Sequence, residues 1–253
     1  MSVPAKDAFA GYRFHKVLAG GEAGIFEASE SASGETVVIE SLIGNDGADA
    51  DLREWFAWAW EALEDVDHPN LPRVREVGTA GDAPFAVRDP IEGRPLPELL
   101  AGEERVDPTS MRVLICRLAD GLHRAHEAGV IHGALGPDDV VVDAEARGGA
   151  TGRWVGFGRA EGLRRDDVRG LGEVLEALIK AERRTRPDES PSAEEGPSMD
   201  EAILAMLTRV ANDVLRGEFR TAAEVRDEVA AGTEEPSGWR RVKGFFRSPG
   251  RGG

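Results

Sequence analysis

The chain has 253 residues, of which 41% are hydrophobic and 31% are charged, which is the composition of a globular protein with a proper core. Its net charge of −16 argues against a nucleic-acid partner, because proteins that bind nucleic acid gather positive charge. No apolar run approaches a membrane span, the first residues lack the apolar core of a secretory signal, and the lone Cys116 excludes an intrachain disulfide, so we expect a cytoplasmic protein without a transmembrane segment.

The first third of the chain is predicted to be rich in strands, with one helix. Residues 12–43 contain three segments of alternating apolar residues, separated by turns of Gly, Ser and Ala. Residues 51–66 have apolar residues at helical spacing after an acidic start. Residues 71–87 return to the pattern of strands. A small β lobe that carries one helix is therefore expected.

The rest of the chain is predicted to be helical. Helical spacing occurs in five segments, which are residues 96–101, 109–128, 167–182, 199–215 and 221–231. Short strands are expected at residues 140–143 and 153–155, on either side of a Gly-rich turn. The chain is thus predicted to be of the α+β class, with a larger helical lobe after the β lobe.

Two segments have compositions that argue against regular structure. Residues 182–198 are polar, acidic and rich in Pro and Ser, which predicts a flexible loop. Residues 233–253 form a basic tail that contains Trp239, Phe245 and Phe246, and we expect it to be disordered. Such a tail could make weak contact with an anionic membrane or an acidic protein, but it is too short for stable anchoring alone.

Several motifs stand in the order of a known family. Residues 36–40 read TVVIE, residues 130–143 read VIHGALGPDDVVVD, and residues 154–158 read WVGFG. Together with the helices between and after them, these segments resemble a bacterial-type serine/threonine protein kinase domain across residues 10–232. The resemblance implies a protein-kinase-like two-lobe fold: a small antiparallel β lobe with one helix at about residues 10–88, and a helical lobe at about residues 92–232.

The resemblance also locates the positions that carry chemistry in this family, and here they depart from its motifs. The strand-three lysine that grips the nucleotide phosphates corresponds to Glu40, and the catalytic-loop base to Ala134. The lysine two residues after the base corresponds to Gly136. The metal-binding asparagine corresponds to Asp139, and the metal-binding aspartate of D-F-G to Gly156. These departures predict a degenerate site with no metal, no cofactor and no catalytic residue.

Residues with architectural roles in the family are retained. His132 and Phe157 match positions that pack into the internal hydrophobic column of kinases. Gly158 completes the D-F-G frame, and Asp167 matches the aspartate that accepts hydrogen bonds from the catalytic-loop backbone. A chain that keeps these four while losing the charged groups is expected to remain a folded domain.

The hinge suggests an occluded nucleotide cleft. An ungapped alignment of PFAVRDPIEG places Arg88 at the back of the adenine pocket, and Pro90 removes one hinge N–H. An inward Arg88 would pair with Glu40 and fill part of the cleft. The alternative, that Arg88 points to solvent, stays open. The register of the Gly-rich loop and the position of the glutamate of the kinase helix C are also open.

The substrate platform is missing as well. Residues 159–166 separate GFG from the helix that starts at Asp167, and no A-P-E motif occurs in the chain. Eight residues cannot form both an activation loop and that platform. The arginine that pairs with the A-P-E glutamate in the family corresponds here to Glu218, so both halves of that ion pair are absent.

An aromatic cluster on the predicted first helix offers a different kind of site. Trp55 and Trp58 share one helix face, and Phe56 and Trp60 share another. The two faces cannot both pack into a small lobe unless something covers the second. We interpret the cluster as a surface for a protein partner, with tight core packing as the alternative.

These observations lead to one main hypothesis and two alternatives. The main one is a catalytically inactive pseudokinase, not an enzyme, that regulates or scaffolds an unknown protein partner. The second is a divergent ATP-binding serine/threonine protein kinase that uses Lys16 in place of the missing lysine and a metal site at Asp138, Asp139 and Asp143. The third is a nucleotide sensor that binds ATP weakly without transferring phosphate.

Overall fold

The computed structural model of the chain describes most of the sequence as helices, strands and the turns that join them. The described residues are 9–19, 24–43, 45, 48–102, 105–144, 150–160, 162–185, 198–231 and 246–247. Gly20 and Gly21 of the Gly-rich segment lie outside these residues, and so does most of the tail predicted at residues 233–253. Among the described residues, no helix is both long and apolar enough to cross a membrane.

The N-terminal lobe is a five-stranded antiparallel sheet with one helix packed against it. In sheet order its strands are β1 (Tyr12–Ala19), β2 (Gly24–Glu30), β3 (Thr36–Ser41), β5 (Ala83–Arg88) and β4 (Val74–Ala80). Helix α1 (Ala50–Glu64) follows β3. Asp49 caps its N-terminus, and the Asp49 side chain accepts a 2.9 Å hydrogen bond from the backbone N–H of Leu52. The predicted β lobe with one helix is confirmed.

The sheet register brings two charged residues onto one face. Glu40 of β3 pairs with Ala86 of β5, and Arg88 of β5 pairs with Val38 of β3. Glu40 and Arg88 are therefore diagonal neighbours on the same face, where side chains of their length can meet. That face turns toward the main core, to which Ala86 belongs, while the opposite face packs a separate cluster around Phe26.

The C-terminal lobe is helical and is organised around α3 (Pro108–Glu127). The other elements of this lobe are β6 (Arg94–Pro95), α2 (Leu96–Leu100), β7 (Arg105–Val106), a 3-10 turn (Pro137–Asp139), β8 (Val140–Asp143), β9 (Thr151–Trp154), α4 (Arg164–Thr185), α5 (Met199–Leu215) and α6 (Ala222–Ala231). Asp107 caps α3 by accepting from the N–H of Ser110, and Pro108 occupies the first turn, where its missing N–H has no effect.

Close packing between α4 and the loop before β8 explains a glycine in the middle of α4. A Cβ on Gly170 would lie 2.1 Å from the carbonyl oxygen of Leu135, so only glycine allows this approach. The contact holds α4 against the segment that resembles the catalytic loop. It is one of the contacts that position the candidate site described below.

Two predictions about irregular segments need correction. The loop predicted at residues 182–198 begins later, because α4 continues to Thr185 and buries Glu182 completely. Residues 186–197 lie outside the described residues, and Ser198 already caps α5. In the tail, Phe246 and Arg247 form strand β10 (Phe246–Arg247), which pairs with β7, so these two residues are not disordered as predicted.

The partner surface predicted on α1 is only partly a surface. Phe56 and Trp60 are fully buried, so for them the prediction is wrong and the packing alternative is right. Their face is covered by the second lobe, where Phe157 lies edge-on to Trp60 at 6.4 Å between ring centroids. The rings of Trp55 and Trp58 contact each other, with 5.0 Å between their centroids, and Trp58 remains 40% exposed.

Candidate functional site

The candidate site lies where the two lobes meet, and Asp167 holds its loop in place. Asp167 is fully buried at the start of α4. Its carboxylate accepts 2.8 Å hydrogen bonds from the backbone N–H groups of His132 and Gly133. The ring of His126 contacts the same carboxylate at 2.8 Å. The loop geometry therefore depends on one buried carboxylate that serves three polar groups.

A column of side chains joins this loop to α1. The ring of His132 lies 2.8 Å from the carbonyl oxygen of Val155 and 4.9 Å from the ring of Phe157, measured between centroids. Phe157 in turn meets Trp60 of α1. A Cβ on Gly158 would lie 3.0 Å from the Cα of Phe56, so the GFG segment and α1 are packed as closely as their backbones allow.

The strand-three position holds a buried ion pair. Glu40 is fully buried, and its Oε1 accepts a 2.8 Å hydrogen bond from Nε of Arg88, whose side chain is 6% exposed. Arg88 also donates to the carbonyl oxygen of Asp89 at 3.2 Å. The inward orientation of Arg88 is therefore correct, and its solvent-facing alternative is wrong. Pro90 is exposed and takes no part in the pair.

A second cation, Arg159, which the sequence did not lead us to predict, enters the cleft from the residue after GFG. The guanidinium of Arg159 lies 3.7 Å from Oε2 of Glu40 and 3.7 Å from Oδ1 of Asp139. A Cβ on Gly156 would lie 2.7 Å from Cζ of Arg159. The space next to the metal-binding aspartate position is thus filled by a guanidinium. The sequence signal was an arginine three residues after Gly156, the glycine that replaces the acidic residue.

The residues of this cleft do not fit a magnesium ion. Gly156 supplies no carboxylate, and the Arg159 guanidinium lies close to Asp139, the remaining acidic residue of the old metal position. A divalent cation placed there would meet a fixed positive charge instead of an additional oxygen ligand. Among the residues that the structure describes, no group of three or more His, Cys, Asp or Glu side chains could hold a metal ion.

The remaining positions predicted from the sequence make no ion pair with Arg88 or Arg159 among the described residues. Ala134 is exposed, and Gly136 contributes its N–H to Oδ2 of Asp139 at 3.0 Å. Lys16, proposed as a substitute lysine, is 61% exposed and pairs with Glu27 at 3.3 Å.

On α1, the position counted as that of the helix C glutamate is the buried Ala59. The two glutamates that a shifted register would use, Glu54 and Glu61, are exposed.

The carboxyl of Asp139 has a pKa shifted by its burial in the cleft. Burial raises the pKa of its carboxyl above the ordinary value of an aspartate, although the charges of His132 and Arg159 act in the opposite direction. A carboxyl with a raised pKa in the folded state destabilises that state above the raised pKa. The penalty disappears as the pH falls through the raised pKa toward the unfolded value of about 3.9.

The Asp139→Asn substitution is therefore expected to stabilise the protein at pH 7 and to have a smaller effect at pH 4. The amide keeps an oxygen for the N–H of Gly136 and removes the buried charge. Thermal unfolding of both proteins across this pH range measures the difference. A wild type that is more stable than the variant at pH 7, with the difference shrinking at pH 4, would show that the cations dominate instead.

Comparison with known proteins identifies relatives of this chain among bacterial protein kinases. No family model matches the chain. The serine/threonine-protein kinase PkaB of Streptomyces coelicolor is 32% identical over 134 residues, which cover 53% of this chain and 32% of that protein. Serine/threonine-protein kinase pkn2 of Myxococcus xanthus is 28% identical over 61% of this chain and 18% of its own length. The chain thus spans about a third or less of these relatives.

Solved structures show the same fold. The kinase domain of Mycobacterium tuberculosis PknI superposes with a TM-score of 0.68 at 18% identity, covering 92% of this chain and all of that domain. Rad53 in complex with AMP-PNP superposes with a TM-score of 0.60 at 14% identity, covering 86% of this chain and 64% of that one. The chain has the two-lobe protein-kinase fold, and the predicted fold class is confirmed.

The comparisons contradict the prediction that the chain is not an enzyme. Its relatives are named serine/threonine protein kinases, and its structural neighbours are kinase domains, which points to an enzyme. The prediction counted charged groups lost at single motif positions. It could not include Arg159, which brings a cation into the cleft from a position where the motif specifies none.

Proposed function

We propose that the chain is a divergent, ATP-binding serine/threonine protein-kinase domain that uses non-standard residues. The observation that carries this proposal is the Arg159 guanidinium, which lies 3.7 Å from both Glu40 at the strand-three position and Asp139 at the old metal position, in a side chain that is 25% exposed. Lys16, the substitute that the sequence suggested, is replaced in this role by Arg159. The named relatives support the choice of serine and threonine hydroxyls as acceptors.

The proposed reaction is the transfer of the γ-phosphoryl group of ATP to a hydroxyl. The bond between the γ-phosphorus and the β–γ bridging oxygen breaks, a bond from the γ-phosphorus to the hydroxyl oxygen forms, and ADP leaves. The hydroxyl proton passes to water, because Ala134 offers no base. Phosphoryl transfer depends mainly on positioning and charge stabilisation, so the loss of a base slows the reaction without forbidding it.

Transfer of label from γ-³²P-ATP to the protein itself and to a generic acceptor protein tests the proposal. General-base catalysis contributes about 10²–10⁴-fold, so the turnover should lie about that far below the 1–100 s⁻¹ of ordinary kinases. Arg159→Gln should abolish the transfer. Arg165→Gln is the matched control, because Arg165 lies on α4 with its side chain 77% exposed. Transfer that does not depend on Arg159 would contradict this assignment of roles.

A second candidate function, regulation through contact with a protein partner, rests on a different observation. Because α4 begins at Arg164, only residues 159–163 separate it from GFG. This interval cannot hold an activation loop together with a platform for a substrate peptide. Trp58, which is 40% exposed, and the half-buried Trp55 beside it offer an apolar contact surface.

A further inference from the structure

The space that Arg159 fills exists because residue 156 has no side chain. A Cβ at Gly156 would lie 2.7 Å from Cζ of Arg159 and 2.9 Å from Oδ1 of Asp139. A carboxylate at residue 156 and a guanidinium in this position therefore exclude each other. Gly156 also has a φ of +81°, a conformation that glycine adopts without strain. The lost carboxylate and the new cation are one coupled change in the site.

The guanidinium is held in the cleft, but it makes no hydrogen bond to any residue that the structure describes. Both of its carboxylate neighbours, Oε2 of Glu40 and Oδ1 of Asp139, are 3.7 Å away, which is too far for a hydrogen bond. Its Nε is buried without a hydrogen-bond partner. A buried donor without an acceptor is unfavourable, and the partly exposed guanidinium could instead donate to an anionic oxygen. The site thus lacks an acceptor of the kind that a phosphate carries.

Each of the two carboxylates in the cleft faces an arginine. Glu40 is already engaged by Arg88 through Oε1, and Asp139 faces Arg159. Arg88 donates to Glu40 and to a backbone carbonyl, whereas Arg159 makes no hydrogen bond within the described part of the chain. A phosphate chain that enters the cleft would meet this guanidinium where a magnesium ion would bridge the phosphates of an ordinary kinase.

We propose that the Arg159 guanidinium takes the place of the divalent cation, so that the cleft binds the phosphate chain of a nucleoside di- or triphosphate without metal. This inference rests on the proposed function, because it names how the same cleft holds its nucleotide. It goes beyond that function in predicting that magnesium is not needed for binding. A magnesium ion carried in on the phosphates would bring like charge toward Arg159.

Calorimetric titration of the wild-type protein with ADP, once in excess EDTA and once in excess magnesium, tests the inference. We expect binding in EDTA that is at least as tight as binding in magnesium. Arg159→Gln should weaken ADP binding in EDTA about 10-fold or more, the loss expected for a charge-assisted hydrogen bond. Arg159→Lys keeps the charge and should retain part of the affinity, and Arg165→Gln should bind like the wild type. Thermal unfolding of each variant establishes that it is folded.

The outcomes separate this inference from the proposed function. ADP binding that requires magnesium and is unchanged in Arg159→Gln would overturn the inference and leave ATP binding in place. No binding by folded wild-type protein in either condition would overturn both. Titration with adenosine and with tripolyphosphate identifies the ligand class. Tripolyphosphate binding as tight as ADP binding would contradict a nucleotide site, and ADP binding much tighter than either would support it.

Discussion

The Glu40→Lys substitution, which restores the usual lysine of strand three, is expected to lower the free energy of unfolding by about 3–5 kcal/mol. Glu40 is fully buried and accepts a hydrogen bond from Arg88. Its replacement leaves the buried Arg88 without its partner and adds a third cation beside Arg159. A loss of this size is a large part of the total of about 5–15 kcal/mol that stabilises a typical domain. Denaturant unfolding of both proteins measures it.

The matched control is Glu27→Lys. Glu27 lies on the neighbouring strand β2, is partly exposed and pairs with Lys16 on the surface. Surface ion pairs contribute about 0–1 kcal/mol, so the control should remain near the wild type. A Glu40→Lys protein as stable as this control would show that Arg88 and Arg159 can move out of the cleft. The ion pairs of Glu40 with Arg88 and Arg159 would then not be a fixed feature of the cleft.

The Asp167→Ala substitution is expected to destabilise the protein by about 2–6 kcal/mol, from about 1–3 kcal/mol for each of two unsatisfied backbone N–H groups. The donors are the N–H groups of His132 and Gly133, which lose their acceptor in the interior. Because the same loop carries Asp139, ADP binding should weaken together with stability. Thermal unfolding and calorimetric titration report the two effects.

Glu173→Ala serves as its control, because Glu173 lies on the same helix and its ion pair with Arg169, at 3.3 Å, is exposed. That substitution should change stability by less than about 1 kcal/mol. Equal effects of the two substitutions would mean that the loop keeps its shape without Asp167. Stability would then come from packing in the column around His132 and Phe157 alone.

Much of the fold could be predicted because its signals are local or follow the order of the motifs. Alternation of apolar residues fixed the strands around Glu40, and helical spacing fixed α1 and α3. His132 and Phe157 meet as the resemblance implied, with their rings 4.9 Å apart. These positions depend on packing rules that the surrounding motif determines, so a match to the motif was enough.

The features that could not be predicted depend on contacts between distant parts of the chain. Phe56 and Trp60 looked like a second apolar face on α1, but Phe157 of the other lobe covers Trp60. Glu182 looked like the start of a polar loop, yet it is buried in the last turns of α4. Composition describes a segment by itself, and it contains no information about what packs against that segment.

From the sequence we expected charged groups to be missing from the site, but we did not expect Arg159 to enter it. Gly156 reads in the sequence as a missing metal ligand. In three dimensions it is also the space into which the Arg159 side chain fits. That relation joins residues three apart through a backbone turn at a φ of +81°, which no helical or strand periodicity reveals. The function therefore had to be argued from the geometry of the cleft.

A crystal structure of the wild-type protein grown with ADP and EDTA would show whether Arg159 holds the nucleotide phosphates without metal. We predict ADP in the cleft between the lobes, with a phosphate oxygen within hydrogen-bonding distance of the Arg159 guanidinium and no metal beside Asp139. An empty cleft at saturating ADP would contradict it. So would ADP whose phosphates turn away from Arg159 and bind only when magnesium is added.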